Sequence, residues 1–230
     1  MKKLITITAI CLLLGAILWN GWVFGWLNHA SAGYLHMSIS ELEVRGQPRA
    51  FIFESLDFIS GIFMVLGAFG LMIITKARPL LLGLIAVCIF FVGALTLFDV
   101  SHPLDCNTFN NIVCVRKIES NHVSTTNMLH NEEGTVTAYL TVLMILFTVI
   151  WVYLTGQSKF RLNSALIAFF GIFITLGILA TSGNVMAGAI SERIWNVLVS
   201  INIGFIAFIL FREEHRHPHI RKLNFNVRSK

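Results

Sequence analysis

The chain has 230 residues, of which 56% are hydrophobic and only 13% are charged, and its mean hydropathy is +0.76. Soluble domains carry about 25% charged residues, so this composition excludes an ordinary soluble domain. It implies an all-α, polytopic bundle of transmembrane helices forming a single integral membrane domain. The net charge of +5 does not imply a nucleic-acid partner, because the basic residues gather at the ends of apolar runs, where they report topology.

Runs of about 20 apolar residues, long enough to cross the hydrocarbon core, give six expected spans. The first, about 4–24, follows Lys2 and Lys3, with Trp19, Trp22 and Trp26 as an interfacial belt. Ala30-Ser31-Ala32 leaves a cleaved signal peptide as an alternative, but the run exceeds the roughly 7–15 residues of a signal core, so an uncleaved anchor is expected. A polar connector, 28–49, ends at the turn residues Gly46 and Pro48. The second span, 51–75, and the third, 80–98, are separated by Lys76, Arg78 and Pro79. A polar island, 99–134, follows, with three histidines, two cysteines and five carboxylates. The fourth span is 135–155, the fifth 162–182 and the sixth 194–211, and a basic tail, 212–230, contains the HRHPH run. That tail fits a juxtamembrane segment beside anionic lipid headgroups.

Twelve Lys and Arg lie at the N-terminus, in the 76–78 and 156–161 turns and in the tail, against five in the other three connections. The positive-inside rule then places both termini in the cytoplasm. The connector, the island and the 183–193 loop face outward. Cys106 and Cys114, eight positions apart in the island, then lie where disulfides persist, and a structural bridge is expected. Cys11 and Cys88 fall inside apolar runs and read as small packing residues.

Ionisable residues inside apolar runs are expensive and mark candidate sites. Glu54, Asp57 and Gly61 share one face of the second span. Asp57 stands about 9 Å along the helix by its rise per residue. Asp99, His102 and Asp105 stand where the third span ends. His130 and Glu133 share a face where the fourth begins, and Glu192, Asn196 and Ser200 form a polar stripe on the sixth. The expected ligand pocket is Glu41, Glu54, Asp57, Glu192 and Asn196, and the groups able to do chemistry are Asp57, Asp99, His102, His130 and Glu133. His102 and His130 with Asp99 form a possible zinc set, since imidazole and carboxylate ligands leave a position for a reactive water. No tight motif such as H-E-x-x-H accompanies them.

The segment SISELEVRGQPRAFIFESLDFISGIFMVLG resembles a bacterial six-helix membrane family, domain of unknown function 998. The match rests on Ser38, Ser40, Glu41, Leu42, Gly46 and Pro48, and is joined by Asp99, His130 and the Glu192-Arg193 pair. The resemblance implies a multi-pass protein of the bacterial inner membrane and no known activity. Alkaline ceramidases offer a more distant comparison, weakened by the absence of histidines from the fifth and sixth spans.

Three readings follow. The first is a membrane protein with an outward polar pocket for a lipid headgroup, a small ligand or a membrane-protein partner. The second is a metal-assisted hydrolase acting on lipid or amide bonds at the outer leaflet. The third is a small transporter, for which the spans show no paired broken helices. Whether the chain is an enzyme stays open between them.

Overall fold

The computed structural model describes residues 2–27, 37–44, 46–47, 49–75, 80–108, 111–120, 122–155, 160–163, 165–169, 171 and 185–216. The described residues are helical, with no strand among them. The long helices are α1 (Lys2–Leu18), α2 (Ala50–Thr75), α3 (Leu80–Asp99), α5 (Thr125–Leu154) and α6 (Val185–Arg216), and a short α4 (Ile112–Glu119) lies in the island. Four segments are long and apolar enough to cross a membrane: α2, α3, α5 and Ala189–Arg212 of α6. The expected fifth span is described only in part, as helical residues between 160 and 171, and the 183–193 loop is described from 185 onward. The tail beyond 216 and the Ala30-Ser31-Ala32 motif lie outside the described residues.

The second and third expected spans are continuous helices within a residue of their expected bounds. The first, fourth and sixth start or stop elsewhere. The first apolar run does not form one helix across 4–24. α1 ends at Leu18, and Gly21–Leu27 is a 3-10 helix. At the break, the Asn20 side chain donates to Ala16 O at 2.9 Å and to Ser200 Oγ at 2.7 Å. An asparagine side chain that competes for backbone groups, followed by Gly21, favours such an end. α5 starts ten residues before the apolar run, because Ser124 caps it. The Ser124 hydroxyl accepts from Asn127 N at 3.1 Å, meeting one of the unpaired donors of the first turn. Asp105 in turn accepts from Ser124 N and Oγ at 2.7 and 2.6 Å.

α1 packs between α2 and α6, and α3 between α2 and α5. A Cβ on Gly171 would lie near both Ile145 of α5 and Trp195 of α6, so this partly described helical stretch reaches both. Ile5, Leu12, Met64, Leu71, Leu82, Ile89, Met144 and Ile203 fill the interior. Large apolar side chains such as Ile17, Leu66, Phe69, Leu80, Phe91, Leu154 and Phe208 point outward. An exterior this apolar suits lipid, since soluble proteins rarely expose large contiguous apolar surface.

Small residues let the helices approach closely. At the α2–α3 crossing, a Cβ on Gly61 would stand 2.9 Å from Gly93 O, and one on Gly93 would stand 3.0 Å from Gly61 O. Both obstacles are backbone and cannot rotate away. Gly93→Ala is therefore expected to lower stability by about 1–3 kcal/mol, the usual cost of overpacking. Thermal unfolding in one detergent checks this, with Gly83→Ala, which meets nothing within 4 Å, as the control.

Candidate functional site

One end of the bundle gathers the C-terminal end of α3, the N-terminal turns of α2, α5 and α6, the connector and the island. The described stretch 37–44 of the connector is largely buried there rather than lying on the surface. Met37, Leu42, Glu41, Glu43 and Val44 are all at most 5% exposed. Met37 and Leu42 pack with Phe53 and against Trp22. Buried loop backbone must find polar partners, and α6 and the island provide them. Glu192 Oε2 accepts from Ile39 N at 3.0 Å. The neighbouring Arg193 donates through Nη1 to Met37 O at 2.7 Å and to Ala189 O at 3.0 Å. Its guanidinium lies 5.5 Å from the centre of the Trp22 ring. Glu41 Oε2 accepts from Ser38 N at 2.9 Å, while Glu41 Oε1 accepts from Thr108 N at 2.6 Å and from the Thr108 hydroxyl. Thr108 sits inside the ring closed by the Cys106–Cys114 disulfide, whose Cα atoms are 5.9 Å apart. The connector then turns at Gly46, whose φ of +89° only glycine adopts readily.

Beneath the connector lies a second set of acids. Glu43 is hydrogen-bonded to Asp57 of α2. Asp99 Oδ1 stands 2.7 Å from His130 Nδ1, which is also 3.0 Å from His102 O. Both neighbours of that nitrogen are acceptors, so Nδ1 carries the hydrogen. Glu133, one turn further along α5, is 6% exposed. Its carboxyl faces Asp99, and His102 Nδ1 lies 3.6 Å from Oε1. Neither Glu133 oxygen has a hydrogen-bond donor among the described residues.

A family model described as protein of unknown function (DUF998) matches residues 10–209. The chain belongs to the DUF998 family. No curated protein and no solved structure matches it. Glu41, Asp99, His130, Glu192 and Arg193, on which the family resemblance rested in part, occupy this one end. Glu41 ties the connector to the island, Glu192 and Arg193 clamp it to α6, and Asp99 and His130 form the pair below.

Of the residues expected to line a pocket, Glu41 and Asn196 are buried, the latter one turn inward from Glu192. Glu54, Asp57 and Glu192 are half-buried. Asp57 interacts with Asp99 and Glu192 as well as with Glu43, and Glu54 acts on Glu43. The expected zinc set, His102, His130 and Asp99, is not grouped to hold a metal among the described residues. His130 Nδ1 is committed to Asp99 and a carbonyl, and the His102 ring stacks on Phe98 with its Nδ1 2.9 Å from Phe98 O. No three His, Cys, Asp or Glu among the described residues are grouped to hold a metal. Asp105 serves the α5 cap instead of the site.

Sequence reasoning missed Glu43 and Thr108. Glu43 was legible in principle, since the spacing Glu41-Leu42-Glu43 sets a second acid beside the family glutamate. Thr108 carried no signal, because only the disulfide ring brings it to Glu41. Glu43 also predicts a pH dependence. Burial, then the Asp57 charge and hydrogen bond, then Asp99 and Glu54, push its carboxyl well above the ordinary 4.5. The folded state thus holds this proton more tightly than the unfolded chain. Its contribution to stability is full below about pH 4.5 and is lost as pH rises through the higher folded value. The melting temperature of the DUF998 protein is expected to fall across that window. Glu43→Gln, which keeps a donor toward Asp57, should flatten the slope measured in parallel titrations.

Proposed function

We propose that this DUF998 protein is a multi-pass binding protein of the bacterial inner membrane with both termini cytoplasmic. Its polar pocket, closed by the connector and the disulfide-bonded island, opens toward the outer leaflet and holds a lipid headgroup or a small ligand. The distribution of twelve against five basic residues supports the orientation. The observation that carries the binding reading is Glu133. It is a buried carboxyl without a donor, within a site whose neighbouring acids Glu41 and Glu192 are met by backbone N–H groups. Natural structures rarely leave a buried polar group unmet, and such a group needs an explanation. A ligand that brings donors provides one.

Native mass spectrometry of the protein purified in mild detergent tests the reading. A discrete mass retained by the wild type is expected to be lost or reduced at least tenfold in Glu133→Gln. An identical complement of bound species on both proteins, or none on either, would leave Glu133 as a structural group and remove the reading.

A further inference from the structure

The site has an excess of acceptors. Glu43 and Glu41 come from the connector, Asp57 and Glu54 from α2, Asp99 from α3, Glu133 from α5 and Glu192 from α6. Against these stand the His130 imidazole, the His102 ring 3.6 Å from Glu133, and the Arg193 guanidinium, whose Nη1 is committed to the carbonyls of Met37 and Ala189. Two carboxyl–carboxyl contacts result, Glu43 with Asp57 and Asp99 with Glu133. Two carboxyls in contact disfavour each other's charged form, so each pair favours a cation between its oxygens.

The acids do not group as a metal site. They are spread over several elements, as suits a cation with several N–H donors on one centre. Ammonium–carboxylate hydrogen bonds are short and charge-assisted, and an ammonium has three donors to distribute. The site also lies at the ends of apolar helices, which is the depth of lipid headgroups.

We propose that the pocket binds a primary ammonium group, presented by a lipid headgroup or by a free amine, between the Asp99 and Glu133 carboxyls. This rests on the binding reading above and names its ligand class. The R–NH3+ group enters and donates to both carboxylates, and any proton it displaces from them leaves to solvent. No covalent bond in the ligand forms or breaks. The Glu43–Asp57 pair is not required to open.

The test uses full-length protein at pH 7. One arm titrates ethanolamine hydrochloride into detergent-solubilised protein. A second compares nanodiscs of phosphatidylethanolamine with nanodiscs of phosphatidylglycerol. Calorimetry in phosphate reads the binding, because an amine buffer would belong to the proposed ligand class. Saturable ethanolamine binding, at least tenfold weaker in Glu133→Gln, is the expected result for a free amine. A melting temperature several degrees higher in phosphatidylethanolamine discs, lost in Glu133→Gln and accompanied by no effect of free ethanolamine, assigns the headgroup as the source. Equal melting in both discs together with no ethanolamine binding overturns the proposal. Native mass spectrometry keeps the two readings apart. A retained species that depends on Glu133 and contains no amine sinks the ammonium class and leaves the pocket.

Discussion

Glu41→Ala is expected to lower the unfolding free energy by about 3–5 kcal/mol, among the largest effects of any single truncation in this chain. The side chain is 3% exposed and accepts hydrogen bonds from Ser38 N, Thr108 N and the Thr108 hydroxyl. Hydrogen bonds to a charged acceptor contribute roughly 1.5–3 kcal/mol each, and the substitution also leaves buried backbone donors unmet. The three do not simply add, because the connector and the disulfide ring can relax toward water once released. Thr108→Val removes only the hydroxyl contact and should cost about 1.5 kcal/mol or somewhat more. A double-mutant cycle between the two positions should then return a coupling within the 0.5–3 kcal/mol seen for contacting groups. Denaturant unfolding in a single detergent measures all four proteins. A loss under about 1 kcal/mol for Glu41→Ala would mean that water replaces the carboxylate, and that the connector is not anchored through it.

That anchoring explains which parts of the molecule the sequence discloses. Apolar runs report where a helix meets lipid, so α2 and α3 were legible almost to the residue. They do not report where a helix begins. The start of α5 at Thr125 is set by the Ser124 cap and by Asp105 behind it, in a stretch whose polarity reads as loop. His130 and Glu133 therefore stand inside a continuous helix rather than at the edge of a loop, as two residues of its early turns. The early end of α1 has the same origin, since Asn20 and Gly21 interrupt a run that stays apolar through Phe24. Helical spacing placed Asp57, Asp99, His130, Glu133 and Glu192 on faces that could meet, because each was an ionisable group in or beside an apolar run. Contacts made through loops were beyond that reasoning. Nothing in the connector's polar composition discloses that its stretch 37–44 is largely buried, and nothing in the island says that its ring delivers Thr108 to Glu41. Residue types and helix faces also allow a zinc set, but they do not say how its members are grouped, and the described His, Cys, Asp and Glu are not grouped to hold a metal.

Glu133→Leu is expected to have the opposite sign from Glu41→Ala. In the ligand-free protein it should raise the unfolding free energy by about 1–3 kcal/mol, the cost of a buried polar group left without a partner. The two acids are similarly buried, at 3% and 6% exposure, but Glu41 collects three donors and Glu133 none. Leucine is close to glutamate in volume, so the packing of α5 should survive the exchange. Its removal also relieves Asp99 of a facing carboxyl and leaves the Asp99–His130 contact at 2.7 Å as an ordinary pair. Replacing buried ionisable groups by apolar ones of like size is often stabilising. Unfolding of delipidated wild type and variant, side by side at pH 7, reads the effect. With saturating ligand the order should reverse, because a ligand that binds only the folded wild type stabilises it by mass action and the variant gains nothing. A variant less stable than wild type in the ligand-free state would show that Glu133 supports the fold, and that the buried carboxyl has donors of its own. A gain in stability coupled to a loss of retained ligand is the signature of a group held in an unfavourable state for binding.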